Sequence, residues 1–170
     1  ELLAKYGSPT PEALVESALN HAQMLTKYDF NDIVISIKSS DVNTMVNSYR
    51  LLSRKCSYTL HLGVTEAGTE RMGLIKSSVG IGSLLLDGIG ETIRVSLTAD
   101  PVLEIAAAKD ILKSINKLGG VKIVSCPTCG RTKINLIRLA NEIESKLNDV
   151  DKNITVAVMG CVVNGPGEAR

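Results

Sequence analysis

The 170 residues are 44% hydrophobic and 22% charged with a net charge of +1, the composition of a chain that buries a core and has no bias toward a polyanionic partner. Aromatic residues make up only 3% and no basic run is interleaved with them, which argues against a nucleic-acid-binding surface, and no apolar run approaches the ~18 residues of a membrane-spanning helix. The chain starts at Glu1 rather than Met and stops at Arg170 directly after a motif, so it reads as a piece of a longer protein.

Thr10-Pro11-Glu12 reads as an N-cap, a first-turn proline and a first-turn acid. Leu14, Val15, Ala18, Ala22 and Leu25 then recur at helical spacing. In DIVISIK, Ile33, Ile35 and Ile37 alternate as in a strand, and Asp41 is placed to cap a second helix striped by Val42, Met45, Val46, Tyr49 and Leu52. The lone Cys56 follows near that helix end. YTLHLG predicts a second strand with Tyr58, Leu60 and Leu62 on one face. A glycine-rich helical stretch runs from about Gly68 to Leu86, and Asp87-Gly88 with Gly90 signals a turn. TIRVSL predicts a third strand with Ile93, Val95 and Leu97 on one face. Asp100-Pro101 opens a fourth helix striped by Leu103, Ala106, Ala107, Ile111 and Ile115.

Alternating helices and strands predict an α/β fold with a parallel sheet. Each strand has one apolar and one polar face, which favours a (βα) barrel over an open sheet buried on both sides. The polar faces carry Ser36 and Lys38, then Thr59 and His61, then Arg94 and Ser96. Three basic or potentially basic side chains on successive strands, with no carboxylate among them, would repel one another unless a phosphate or diphosphate sat between them. The alternative is that Lys38 and Arg94 reach out from strand ends to water.

Gly119-Gly120 predicts a domain boundary, with residues 1–118 before it and 119–170 after. VKIVSC predicts a strand ending at Cys126. RTKINLIRLANEIESKL predicts a helix with Ile134, Ile137, Ala140, Ile143 and Leu147 inward, and ITVAVMGC predicts a strand ending at Cys161. If those strands are parallel neighbours, Cys126, Cys129 and Cys161 gather at one end. CPTC alone fits a redox disulfide, a zinc knuckle or an iron–sulfur site. His21 and His61 lie outside this region, which leaves a closed zinc site short of a ligand, and a redox pair leaves Cys161 unexplained. Three thiolates with one oxygen ligand suit iron–sulfur chemistry, with the glycines around Pro166 able to return Glu168 to the site.

SCPTCGRT, VMGCVVNGPGEA, HLGVTEAG, IKSSD and the IRVSL–ADP stretch together resemble the 4-hydroxy-3-methylbut-2-en-1-yl diphosphate synthase family (IspG, also GcpE), from end to end of the chain. The resemblance implies the C-terminal half of a TIM-type barrel (residues 1–118) followed by the first part of an α/β iron–sulfur domain (residues 119–170). It implies a [4Fe-4S] cluster held by Cys126, Cys129, Cys161 and Glu168. It implies diphosphate binding by Lys38, Arg94 and Ser96, with His61 as an addition, a catalytic acid at Glu66, and substrate contact by Asn164. The implied reaction opens 2-C-methyl-D-erythritol 2,4-cyclodiphosphate reductively and removes a hydroxyl as water, giving 4-hydroxy-3-methylbut-2-enyl diphosphate for isoprenoid synthesis. Ferredoxin or flavodoxin would supply two electrons. The implied setting is a homodimer, with the barrel of one subunit facing the cluster domain of another, in a bacterial cytoplasm or plastid stroma. The first half of the barrel would be missing from this chain, and the piece alone would be inactive.

Overall fold

The computed structural model describes residues 2–148 and 150–165. Residue contacts divide the chain into two compact units, Glu1–Ile115 and Asn116–Arg170.

In the first unit the helices are α1 (Leu2–Tyr6), α2 (Pro11–Thr26), α3 (Val42–Ser53), α4 (Glu70–Leu86) and α5 (Pro101–Ser114). The strands are β1 (Val34–Ile35), β2 (Thr59–Leu62) and β3 (Thr92–Ile93), all parallel and in sequence order. Thr10, Asp41 and Asp100 start their helices as the sequence predicts. Their side chains accept from Ala13 N at 3.3 Å, Thr44 N at 2.7 Å and Val102 N at 2.9 Å, pairing amides that a helix start leaves without partners.

β2 pairs with β1 through Thr59 and Leu60, and with β3 through His61 and Leu62. The sheet is therefore sheared along its length, as strands tilted around a barrel are. The helices neighbour one another in sequence order, α2 on α3, α3 on α4 and α4 on α5. Ile35, Ile37, Leu60, Leu62 and Val95 are buried in one core with Met45, Tyr49, Leu52, Ile81 and Leu84 from the helices, while Val34, Ser36, Thr59, Thr92 and Arg94 on the opposite face are exposed. This is an α/β fold with the parallel wall and helical cover of a partial TIM-type barrel. Among the described residues the barrel does not close.

Five helices rather than four precede the second unit, because Leu2–Tyr6 is a separate short helix. Leu25, Leu103 and Ala106, expected inside, are exposed. They lie on α2 and α5, the two helices that flank the ends of the three-stranded sheet.

The second unit is β4 (Lys122–Ser125), α6 (Leu136–Leu147) and β5 (Thr155–Val158), with β4 and β5 parallel and Ser125 opposite Val158. α6 begins five residues later than the predicted start at Arg131, because Asn135 caps it by accepting from Arg138 N at 3.1 Å. The preceding loop is held elsewhere: Lys133 N donates to Gly160 O at 3.1 Å and Cys129 N donates to Thr132 Oγ1 at 3.1 Å. The buried face of α6 is set by Leu136, with Ala140, Ile143 and Leu147 following it, whereas Ile134 and Ile137 are exposed. β5 stops at Val158, so Cys161 lies three residues past the strand rather than at its end. No helix among the described residues is long and apolar enough to cross a membrane.

Gly90 and Gly82 give a paired test of this packing in the full-length protein. Gly90 has φ +100°, and a Cβ there would sit 2.4 Å from Leu62 Cδ1. Gly90→Ala is expected to lower unfolding free energy by about 2–4 kcal/mol. Gly82 lies inside α4 with nothing within 4 Å of a Cβ, and Gly82→Ala is expected to add about 0.5–1 kcal/mol. Denaturant midpoints that move together, or in the reverse order, would show the β2–β3 junction is not packed this way.

Candidate anion site and cysteine centre

Lys38 comes one residue after the buried Ile37, beyond the last rung of the β1–β2 ladder. Its side chain crosses Gly63, the residue after β2: a Cβ at Gly63 would lie 3.2 Å from Lys38 Cε and 3.0 Å from the Arg94 carbonyl oxygen. A side chain at Gly63 would therefore crowd the lysine stem and the Arg94 carbonyl, and glycine leaves both in place. Arg94 follows β3 and its amide donates to Leu62 O at 2.9 Å. His61 sits within β2, its Nδ1 2.8 Å from Thr92 Oγ1.

The three groups share one electrostatic field. The Lys38 ammonium is held below its usual 10.5, first by burial and then by the Arg94 charge. The imidazole of His61 is held below 6.5 by burial and then by Lys38 and Arg94. His61 is therefore neutral at neutral pH, and the fixed positive charge is that of Lys38 and Arg94. The ion pairs among the described residues, Lys5–Glu16, Arg50–Asp87 and Arg138–Glu142, all lie elsewhere. Lys38 and Arg94 thus stand in one field with no ion-pair carboxylate among the described residues. Ser96 is half-buried two residues beyond Arg94.

Glu66 is exposed in the loop after β2, with φ +50°. A non-glycine residue rarely adopts that conformation, and strain of this kind gathers at functional positions. The loop is laced to both neighbours. Thr65 N donates to Ser39 O at 3.3 Å, Thr98 N donates to Gly68 O at 3.0 Å, and Thr69 bridges Thr98.

In the second unit Cys126 directly follows β4, and its amide donates to Val158 O at 3.3 Å, continuing the β4–β5 ladder. Gly160, two residues past β5, lies so close to the Cys-x-x-Cys loop that a Cβ there would be 2.9 Å from Thr132 Cγ2. The segment from Cys161 turns back, with Gly165 N donating to Cys161 O at 3.3 Å, and Asn164 Nδ2 lies 4.0 Å from the Cys126 sulfur. The loops bearing Cys126 and Cys161 are thus neighbours. Cys129 is exposed, and hydrogen bonds from the Arg131 backbone and guanidinium and from Thr132 hold its thiol below the usual 9.0, favouring thiolate. All four cysteines are free. Cys56 is apart from the others in the first unit, half-buried against the core with its thiol on Leu52 O at 3.6 Å.

Among the described residues no three His, Cys, Asp or Glu side chains are close enough together to hold a metal ion. Pro166 and Glu168 lie outside the described residues. The donor set itself suits a thiolate-bound group: three thiols on adjoining loops, one poised to ionise, with the Asn164 amide beside another.

Three contributors escape the sequence patterns. Gly63 makes room for Lys38, and nothing but the register of β2 against β3 reveals it. Glu104 accepts from Leu97 N at 2.8 Å, finishing the segment after β3 from helix α5. Tyr49 reads as one more apolar residue in the α3 stripe, yet its hydroxyl lies between the ends of β1 and β2. A tyrosine in an otherwise aliphatic stripe is the available signal, since a buried phenol needs a hydrogen-bond partner.

The family model described as the GcpE TIM-barrel domain matches residues 1–109, and that described as the GcpE protein C-terminal domain matches residues 122–170. Proteins called 4-hydroxy-3-methylbut-2-en-1-yl diphosphate synthase (flavodoxin) from Clostridium perfringens and Clostridium tetani are each 64% identical to this chain over its whole length and 49% of theirs. The protein of that name from Geobacter sulfurreducens is 58% identical over the whole chain and 48% of its own length. The chain spans about half the length of the curated relatives it matches. With the two family models together covering the barrel wall and the cysteine-bearing unit, the chain belongs to the GcpE family.

Proposed function

We propose that this chain is part of an enzyme that converts 2-C-methyl-D-erythritol 2,4-cyclodiphosphate to 4-hydroxy-3-methylbut-2-enyl diphosphate, consuming two electrons and two protons and releasing one water. The observation that carries this reading is the cluster of Lys38, Arg94 and His61 without a carboxylate partner at the ends of β1–β3. A diphosphate supplies the negative charge that such a cluster lacks.

Arg94 grips two phosphate oxygens at once, Lys38 adds a point charge, and the Ser96 hydroxyl donates to a remaining oxygen. The neutral imidazole of His61 gains its proton as the anion arrives. Held in this way the ring is oriented and its reacting carbons are fixed against the catalytic groups. Glu66 holds the proton that lets the departing hydroxyl leave as water. Cys126, Cys129 and Cys161, with Glu168, hold a [4Fe-4S] cluster, and the Asn164 amide lies beside both the sulfur ligands and the substrate. When bound, such a cluster supplies the electrons and a Lewis-acidic iron. The relatives' names support flavodoxin as the electron donor, with ferredoxin the alternative carrier. The working form is a homodimer in which barrel and cluster unit come from different subunits.

Metal content separates this reading from its rivals. Purified without oxygen, the full-length protein is expected to be brown and to contain iron and sulfide. Cys126→Ser, Cys129→Ser, Cys161→Ser and Glu168→Ala should each lose most of the iron, and Cys56→Ser should keep it. Zinc in place of iron would support a structural module. A metal-free protein with an easily reduced Cys126–Cys129 bond would support a thiol–disulfide oxidoreductase.

The anion site predicts proton uptake. Lys38 and His61 are held below their ordinary pKa values, so an arriving anion raises both and draws protons from solution. Near pH 6, calorimetry of pyrophosphate binding in buffers of different ionisation enthalpy is expected to show greater uptake by the wild type than by His61→Gln. Equal uptake would place His61 outside the site.

A further inference from the structure

The phenol of Tyr49, on helix α3, sits with no exposed surface between the ends of two strands. It accepts a hydrogen bond from Ile37 N at 2.9 Å and donates one to His61 O, where Ser36 Oγ also donates at 3.0 Å. The backbone ladder between β1 and β2 runs only through Val34–Thr59 and Ile35–Leu60. Between that ladder and the Thr65 N–Ser39 O bond further along, the Tyr49 hydroxyl is what joins Ile37 N to His61 O. A buried amide at Ile37 would otherwise lack a partner. Burial also pushes the phenol above its usual pKa of 10, so it stays protonated and able to donate.

Ile37 immediately precedes Lys38, and the carbonyl that takes the phenol proton belongs to His61 itself. One hydroxyl thus ties the backbone of two members of the cation cluster at a fixed spacing. Gly63, two residues beyond His61, carries the lysine stem toward Arg94. Leu62 O, between them, receives the Arg94 amide at 2.9 Å. The tie at Tyr49 is therefore continuous with the backbone that sets all three groups.

We propose that Tyr49 is a positioning residue for the diphosphate site: its hydroxyl bridges Ile37 N and His61 O and so fixes the spacing of Lys38 and His61 on which anion affinity depends. This rests on the reading of Lys38, His61 and Arg94 as a diphosphate site. Tyr49 does not touch the anion. It acts through the backbone of residues that do.

The test is pyrophosphate titration of the full-length protein by calorimetry, comparing wild type, Tyr49→Phe, Lys38→Met and Val15→Ala. Val15 is buried on α2 and is named in no part of the site. Tyr49→Phe keeps the ring and removes only the bridge. It is expected to weaken pyrophosphate binding about tenfold, within the usual range of coupling between a positioning contact and a site, while keeping the wild-type salt dependence because every charge remains. Lys38→Met should weaken binding and flatten the salt dependence. Val15→Ala should lower the unfolding midpoint yet bind as the wild type does. Tyr49→Phe binding like Val15→Ala, with Lys38→Met still impaired, overturns the positioning role alone. If Lys38→Met also binds like the wild type, the anion site fails and Tyr49 falls with it. A measurement on the wild type needs no variant to fold: exchange of the Ile37 amide with solvent deuterium should slow when pyrophosphate binds, since coupling between the tie and the site runs both ways. Unchanged exchange at saturating pyrophosphate would count against the proposal.

Discussion

Like charges brought together without a counter-charge are the constraint on which the first unit turns. Lys38, His61 and Arg94 come from three successive parallel strands: His61 lies inside β2, paired with Thr92, while Lys38 and Arg94 follow the last paired residues of β1 and β3, Ile35 and Ile93. Parallel strands bring their C-terminal ends to the same side, so the fold concentrates positive charge there as a matter of topology. Burial first, and then the neighbouring positive charge, holds Lys38 and His61 below their ordinary pKa values: Arg94 acts on Lys38, and Lys38 and Arg94 act on His61.

The devices holding this end of the sheet are helix side chains rather than longer ladders. β1 and β3 have only two paired residues each, and the backbone beyond them is finished by Tyr49 from α3 and Glu104 from α5. Strands that stop early free the following residues to turn their side chains toward a ligand. The second unit uses the same topology for different chemistry. β4 and β5 run parallel, and the loops after them carry Cys126, Cys129 and Cys161. There the assembled groups are thiols, and that of Cys129 is held below its usual pKa by hydrogen bonds from Arg131 and Thr132.

Much of the architecture is legible in the sequence because it follows from local rules. Alternation at Ile35, Ile37, Leu60, Leu62 and Val95 fixes which face of the sheet is buried, and with it which face carries Lys38, His61 and Arg94. Thr10, Asp41 and Asp100 mark helix starts by their own hydrogen bonds. Non-local features are not legible. The face of α6 is misread around Ile134 and Ile137 because the Asn135 cap and the bonds of Thr132 and Lys133 hold the preceding loop out of the helix, leaving Leu136 to point inward. The shear of β2 between its neighbours, the passage of Lys38 over Gly63 and the bridge at Tyr49 all depend on registers between segments far apart in the chain. The apolar run ITVAVMGC puts Cys161 at a strand end, yet it lies in the turn after β5, whose pairing stops at Val158.

Lys38 and Arg94 at the barrel end should repel one another until an anion joins them. Thermal unfolding of the full-length protein and its Lys38→Met variant, each with and without pyrophosphate, tests it, because methionine preserves most of the stem that crosses Gly63 and removes only the charge. Without pyrophosphate the variant is predicted to unfold at a higher temperature than the wild type. With saturating pyrophosphate the wild type should gain by mass action and overtake it. A variant less stable than the wild type under both conditions, or a wild type indifferent to pyrophosphate, would contradict the account.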